Sequence, residues 1–340
     1  MPPIIDLHCD TLYRLALTPE HFFASMPETH SHISYHGLRT ANSLLQCFAL
    51  FTDLCELPSA APRSPLTEQY HCFQKILSLA KGQITQIRTF ADLTKCMRQG
   101  NIGALLTMEE SCLSGQPVTL LPDLYSLGVR IASLTWDYSN LLATSAAKAS
   151  PVPYPNRFTF APAFRNRYAP GSGLSSAGFD FLTEAERLGI LIDVSHLSDA
   201  GFRDVASHSK KPFLATHSNA RSLCNVPRNL SDDMLRTLAE RGGLAGLCLH
   251  EPFLVSAPCS PDDIAAAVIA HVKHMLSVAG PEVLALGTDF DGTPGNRAFP
   301  DISHLPHLAD LLKKAGVSSG QIDNIFYKNA LRFFRENLPA

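Results

Sequence analysis

The chain has 340 residues, of which 45% are hydrophobic and 17% charged, and its net charge is −3. That balance supplies a globular core. Lys and Arg do not cluster, which excludes the basic patch of a nucleic-acid surface, and no apolar run approaches the ~18 residues of a membrane span. Asp6 and His8 follow the start almost at once, which leaves no room for a signal peptide. The nine cysteines are scattered without CxxC pairs, and Cys47, Cys112 and Cys248 sit inside apolar runs. Reduced cysteines behave this way, so the expectation is a disulfide-free, cytoplasmic protein.

Strand-like runs alternate with helical segments. The first run, Ile4–His8, ends in His8-Cys9-Asp10. Residues i and i+2 of a strand share a face, so His8 and Asp10 converge on one point, as the ligands of a cation must. The stretch 19–39 follows, with four histidines (His21, His30, His32, His36), and reads as an interfacial or active-site loop. Leu45–Phe51 is the second run. The third, Ile102–Met108, leads into Glu109 and Glu110. Neighbouring residues point to opposite sides, so only one of the two faces a shared ion. The fourth run, Arg130–Thr135, leads into Trp136, with Asn140 just beyond. The stretch 150–173, rich in Pro, Asn, Phe and Arg, reads as a long loop after that strand and a candidate lid.

A stripe of Phe179, Leu182 and Leu188 marks a helix that stops at Gly189. The fifth run, Gly189–Val194, ends in Asp193-Val194-Ser195-His196, and the sixth, Pro212–Thr216, in His217. Ser231-Asp232-Asp233 caps a helix carrying Met234, Leu235 and Leu238, with Gly242 as its stop. The seventh run, Gly243–Leu249, precedes His250, read as a loop histidine. Ser260-Pro261-Asp262-Asp263 opens a helix of Ile264, Val268, Val272 and Met275 that Gly280 closes. His271 and His274 on that helix read as ordinary surface or stripe residues. The eighth run, Val283–Gly287, leads into Thr288-Asp289-Phe290-Asp291-Gly292, where both acids also suit a turn. Ser318 and Gln321 form a capping box for the last helix.

Eight runs alternating with helices predict an α/β fold, a (β/α)8 barrel formed by one domain over residues 1–340 with loop insertions near 19–39 and 150–173. Such a barrel builds its site at the C-terminal ends of the strands. Five of those ends here carry His, Asp or Glu. Two His, the His-x-Asp pair and one Glu make a mixed N/O set for a two-metal cluster, suited to zinc.

The segments Asp6-Leu7-His8-Cys9-Asp10-Thr11, Leu106-Thr107-Met108-Glu109, Arg187 through His196, Thr216-His217-Ser218, Pro227-Arg228-Asn229 and Gly287 through Gly292 run in one order over nearly the whole chain. In that order the chain resembles the membrane (renal) dipeptidases, zinc peptidases of the amidohydrolase superfamily. The resemblance implies that His8 and Asp10 bind one Zn2+, that His196 and His217 bind the other, and that Glu109 bridges both. It makes Asp289 the proton shuttle and Arg228 the receiver of the substrate's free carboxylate. Many related metal barrels bridge their ions with a carbamylated Lys at the end of the fourth strand. Here that strand ends Leu134-Thr135-Trp136, so a carboxylate must bridge. Two departures stand out. Glu110-Ser111 replaces the small glycines common in the family and is expected to crowd or charge the rim. Trp136 takes the place of a substrate-binding His, so it can wall a pocket or donate one N–H but cannot do imidazole chemistry. Asn140 is expected to add a hydrogen bond to substrate.

The implied reaction is dipeptide hydrolysis by attack of a metal-bridging hydroxide. The family tolerates a D-residue at the C-terminal position, which brings L,D-dipeptides into range, and it is often dimeric, which makes a homodimer an expectation. Alternatives are another amide, lactam or N-acyl-amino-acid hydrolase on the same centre, or a barrel that binds peptides without cleaving them.

Overall fold

Eight parallel strands close a barrel whose C-terminal ends carry the candidate site. The computed structural model describes residues 1–24, 31–53, 65–113, 115–147 and 172–339. Its strands are β1 (Ile4–Asp6), β2 (Ser43–Phe51), β3 (Ile84–Ile87), β4 (Ile102–Glu109), β5 (Val129–Ser133), β6 (Leu191–Asp193), β7 (Leu214–Ala215), β8 (Leu244–Leu247) and β9 (Leu284–Leu286). All pairings are parallel. β1 lies between β2 and β9, β4 through β9 pair in succession, and β2 closes the ring on β4 from Leu45↔Gly103 to Phe51↔Glu109.

Each of the eight runs read from the sequence overlaps one barrel strand, and β2, β4 and β5 extend one or two residues beyond their runs. β3 is the addition. It pairs with β4 over Ile102–Leu105, and β5 takes up pairing from Leu106 onward. β2 occupies one edge of β4 over that whole length, so β3 and β5 share the other edge in sequence. The short strands are trimmed relative to the apolar runs: β1 stops at Asp6 and β7 holds only Leu214 and Ala215.

The apolar, non-alternating character of the runs has a direct cause, since strands of a barrel are covered on both faces. Inward residues such as Ile5, Leu45, Leu105 and Leu191 form one buried cluster with Phe333 and Phe334 of the terminal helix Asn329–Asn337. That helix sits under the strand starts, where Asn329 Nδ2 donates to Pro281 O and Leu284 O at 2.8 Å each. Its packing closes the barrel floor and leaves the opposite mouth for chemistry.

Helix signals hold where the caps are explicit. Ser231 accepts from Met234 N before the helix Asp232–Glu240. Ser260 and Asp263 form a capping box on the helix Pro261–Ala279. Ser318 and Gln321 do the same for the short helix Ser319–Asp323. Each such cap is worth about 1 kcal/mol. Gly189 ends the helix Ser176–Leu188 in the left-handed region, φ 87°, which favours glycine. No helix of the described residues is long and apolar enough to cross a membrane.

Part of the 19–39 stretch forms the turn Pro19–Phe23 and the helix Tyr35–Thr40. Its residues 25–30, His30 included, lie outside the described residues, as does most of the expected 150–173 loop.

Candidate metal centre

His8 and Asp10 reach the mouth by a route the strand argument did not foresee. β1 ends at Asp6, and the chain stays extended beyond it because Cys9 bridges Phe290 in parallel and Asp10 N donates to Phe290 O at 2.9 Å. Asp10 is then the N-cap of the helix Thr11–Arg14. His8 Nε2 lies 3.2 Å from Asp10 Oδ2, 3.5 Å from Glu109 Oε2 and 3.9 Å from Asp289 Oδ1. From the other side, His196 Nε2 lies 2.8 Å from Glu109 Oε1, and His217 Nε2 lies 3.6 Å from the same oxygen. The two Nε2 atoms are 3.0 Å apart. Glu109 thus offers one oxygen to each histidine group.

Three sets of donor atoms come close enough to hold an ion: His8, Asp10 and Glu109; Glu109, His196 and His217; His8, His217 and Asp289. All of these residues are buried. Asp10 Oδ1 is buried with no hydrogen-bond partner, a costly state for a carboxylate oxygen unless a cation fills it. Gly292 leaves room beside the same carboxylate, because a Cβ there would fall 2.2 Å from Asp10 Oδ2 and 2.8 Å from Asp289 Oδ1. The donor set, its burial and the open oxygen all fit divalent cations.

The charges are not evenly shared. His8 and His217 are stacked with ring centroids 3.9 Å apart, so both cannot be imidazolium. Burial opposes protonation of His8, but the Glu109 and Asp10 carboxylates outweigh it and raise its pKa well above the usual range. Burial, the His8 charge and Arg228 hold His217 well below it. Burial raises Asp10 to about 7 and Asp289 to about 6, with the Glu109 charge adding to both. Crowded carboxylates that compete for protons are what a dication neutralises.

The imidazole tautomers follow from their second contacts. Thr216 Oγ1 donates to Asp193 Oδ2 at 2.6 Å, so at 2.7 Å from His217 Nδ1 it accepts the proton there. His196 Nδ1 lies 2.9 Å from Asp137 Oδ1. With the proton on Nδ1, both rings have their Nε2 on the Glu109 side, placed to ligate a cation held there.

Two buried acids that sequence reasoning passed over brace the strand ends. Asp6 accepts from Thr288 N, Thr288 Oγ1 and Gln46 Nε2, each at 2.8 Å. Asp193 accepts from Ser133 Oγ, Ser195 N, Thr216 N and Thr216 Oγ1. Their signal was an acid at the end of an apolar run, which needs several donors to be tolerated. Asp291 is likewise buried, and accepts from Thr11 Oγ1, Ser31 Oγ and His32 N at 2.6 Å. It thereby ties the 19–39 stretch to the rim. Backbone strain concentrates here too. Glu110, His196, Asp289 and Asp291 have φ between 62° and 70°, four of the six such non-glycine residues among those described.

Several expectations change. Glu110 does not charge the rim. It is buried and turned away from the histidines, accepting from Cys112 N at 2.9 Å, Trp136 N at 3.0 Å and Asn140 Nδ2 at 2.7 Å. Burial still raises its carboxyl to about 7. Asn140 does not reach out for a substrate. Its Nδ2 donates to Glu110 and Leu134 O, and its Oδ1 accepts from Leu142 N and Ala143 N, so each side of the amide is engaged by its own loop and the buried Glu110. Trp136 flanks the centre with its ring 6.4 Å from that of His196 and 4.8 Å from Phe51. Arg228 is buried, donates to Ser218 Oγ at 3.2 Å and His217 O at 3.3 Å, lies over Phe253, and keeps Nε without a partner. His250 packs on the same Phe253 ring at 4.6 Å, and burial with the Arg228 charge lowers it to about 4. His271, read as an ordinary surface or stripe residue, is a buried clamp: Ala220 N donates to its Nδ1, and its Nε2 donates to Leu254 O.

Comparison with known proteins agrees with this geometry. The family described as membrane dipeptidase (peptidase family M19) matches residues 1–338. An uncharacterized protein of the pqqA 5′ region of Klebsiella pneumoniae is 27% identical over 277 residues, 81% of this chain and 96% of its own length. The dipeptidase verJ of Clonostachys rogersoniana is 30% identical over 270 residues, 78% of this chain. The chain spans just over half to under two thirds of the fungal dipeptidases it matches, 53% and 63% of their lengths. Among solved structures, that of a dipeptidase AC, a metallopeptidase of family M19, is 25% identical with a TM-score of 0.83, and the match covers 100% of this chain and 99% of that one.

Proposed function

The chain belongs to the membrane dipeptidase family, peptidase family M19, and from that premise we propose that it hydrolyses dipeptides at a two-cation centre. The observation that carries the reading is Glu109, whose two oxygens lie 3.5 Å from His8 Nε2 and 2.8 Å from His196 Nε2. His8 and Asp10 would hold one cation, His196 and His217 the other, and Glu109 both. The mixture of imidazole and carboxylate donors favours Zn2+. Two such ions supply a water activated at neutral pH and a polarised scissile carbonyl.

The protein's own groups do the rest. Asp289, which burial raises to about 6, sits 3.9 Å from His8 and takes the proton of the attacking water, then returns it to the leaving amine. Arg228 carries a buried guanidinium with an unpartnered Nε, suited to a substrate carboxylate. It selects short peptides with a free C-terminus. Trp136 walls the pocket beside His196 and narrows it. A D-residue at the C-terminal position is within range of this arrangement. The eight described cysteines are all free, in keeping with a reducing, cytoplasmic setting, and a homodimer is the expected assembly.

The test joins elemental analysis of purified protein to hydrolysis of L,L-dipeptides, L,D-dipeptides and N-acyl amino acids. Two equivalents of zinc and chelator-sensitive cleavage of free dipeptides are expected. Metal-replete protein that cleaves only N-acyl compounds would move the substrate class, and protein that binds dipeptides without turnover would sink the enzymatic reading.

A further inference from the structure

We propose that Asp137 is the positioning residue of the His196–His217 half of the centre, and that its carboxylate sets how tightly that half holds a divalent cation. The proposal rests on the two-cation reading above. The juxtaposition is direct. Asp137 Oδ1 lies 2.9 Å from His196 Nδ1, while Nε2 of the same ring lies 2.8 Å from Glu109 Oε1 and 3.0 Å from His217 Nε2. A ring that offers Nε2 to a cation must keep its proton on Nδ1, and a carboxylate there fixes that tautomer and makes Nε2 a stronger donor. Without it the ring is free to turn or to shift its proton.

Asp137 can do this because its loop is wired to the parts it aligns. Glu110, next to the bridging Glu109, accepts from Trp136 N at 3.0 Å and from Asn140 Nδ2 at 2.7 Å. Ser145 Oγ donates to Trp136 O at 2.7 Å. The far end of the loop grips the His196 segment, with Ala146 N donating to His196 O at 2.7 Å and Ser198 N to Thr144 O at 2.9 Å. His196 itself is held at φ 70°. One loop therefore spans from the residue beside Glu109 to the ligand across from it, and Asp137 is its side-chain contact with the imidazole. The three histidines then have three kinds of support: carboxylates directly on His8, a hydroxyl backed by Asp193 on His217, and Asp137 on His196. Asp137 is the most accessible of these, with 17% of its side chain exposed, so its removal should tune the site and leave the barrel intact.

Trp136 is the protein's single tryptophan, and its ring lies 6.4 Å from that of His196. Its emission therefore reports occupancy of this half. The experiment titrates metal-free protein with Co2+, follows Trp136 quenching, and measures binding stoichiometry and the melting temperature of the metal-free state in parallel. In the wild type two equivalents bind. In Asp137→Ala the equivalent that quenches Trp136 should weaken ~10–100-fold, the range for a lost partner of a ligating histidine. The other equivalent and the metal-free melting temperature should be unchanged. Asp137→Asn keeps an acceptor but not the charge, and should fall between. Two equivalents of wild-type affinity in Asp137→Ala would overturn the role of Asp137 alone. Loss of both equivalents with a lower metal-free melting temperature would assign the residue to folding and also overturn it. A wild type that binds no Co2+ or Zn2+ would overturn the two-cation reading itself, and this proposal with it.

Discussion

The two halves of the centre are held by different means. His8 and Asp10 stand on a chain segment that leaves β1 and borrows its extended form from the Asp289–Gly292 loop, and they meet carboxylates directly. His196 and His217 come from β6 and β7, and each has a hydrogen-bond partner behind it, Asp137 and Thr216. The first half is rich in negative charge and contains the open Asp10 oxygen. The second is rich in imidazole, with His217 kept neutral by burial. On the two-cation reading proposed above, affinity in the first half would depend on the ligands themselves and on the room beside Gly292, and in the second on the groups behind the imidazoles.

The largest effect should come from the residue common to both halves. Glu109→Gln removes the shared charge, and zinc content should fall toward zero with activity down by ~10³-fold or more, because water activation goes with the metal. Full zinc content in that variant would mean the halves do not depend on a shared carboxylate. Asp289→Asn should separate chemistry from binding: zinc retained, kcat lower by ~10²–10⁴-fold, the usual range for a general base. Steady-state kinetics beside metal analysis decides it, and an unchanged kcat would free Asp289 from the proton role.

Gly292→Ala probes the first half alone. The added Cβ would sit 2.2 Å from Asp10 Oδ2, and overpacking of this kind costs about 1–3 kcal/mol. One equivalent of zinc should weaken by roughly tenfold or more, while the equivalent near Trp136 keeps its affinity. Equal weakening of both would erase the distinction between the halves.

The last prediction concerns the footing of the second half. His271 clamps Ala220, three residues past His217, to Leu254. Burial depresses its folded-state pKa from 6.5 to about 4. A depressed pKa means that the unfolded state binds the extra proton first. Its stabilisation is therefore present above pH 6.5 and is lost as pH falls toward 4, by about 3 kcal/mol in all. Urea denaturation at pH 7 and pH 5 should show about 2 kcal/mol of this loss in wild type, and His271→Gln should flatten it. An identical pH slope in both would remove His271 from the account.

Much of the site was legible in the chain order of its ligand types. His8, Asp10, Glu109, His196, His217 and Asp289 each end or follow an apolar run, and the structure brings all six together. The choice between Glu109 and Glu110 rests in part on alternation, and the structure turns the two side chains to opposite sides. Asp137 was not legible. It is 59 residues from His196, and nothing in its neighbourhood distinguishes it from any loop acid. Asn140 was misread for a related reason: a polar residue beyond a strand end invites a substrate role, yet its partners are backbone groups of its own loop and the buried Glu110. His271 was misread because helical periodicity places it on a face but does not say which polar groups that face meets.

The eight-stranded barrel and the kinds of atoms at its mouth are written in the apolar runs and in the residues that end them. Parallel strands covered on both faces must read as short apolar runs, and chemistry in such a fold gathers where those runs end. Only the closed barrel shows which carboxylate lies between the histidines, which groups meet their Nδ1 atoms, and which loop stands behind them. Those outcomes depend on contacts of about 3 Å between residues tens to hundreds of positions apart. No local pattern encodes such contacts, because they exist only once the barrel has closed.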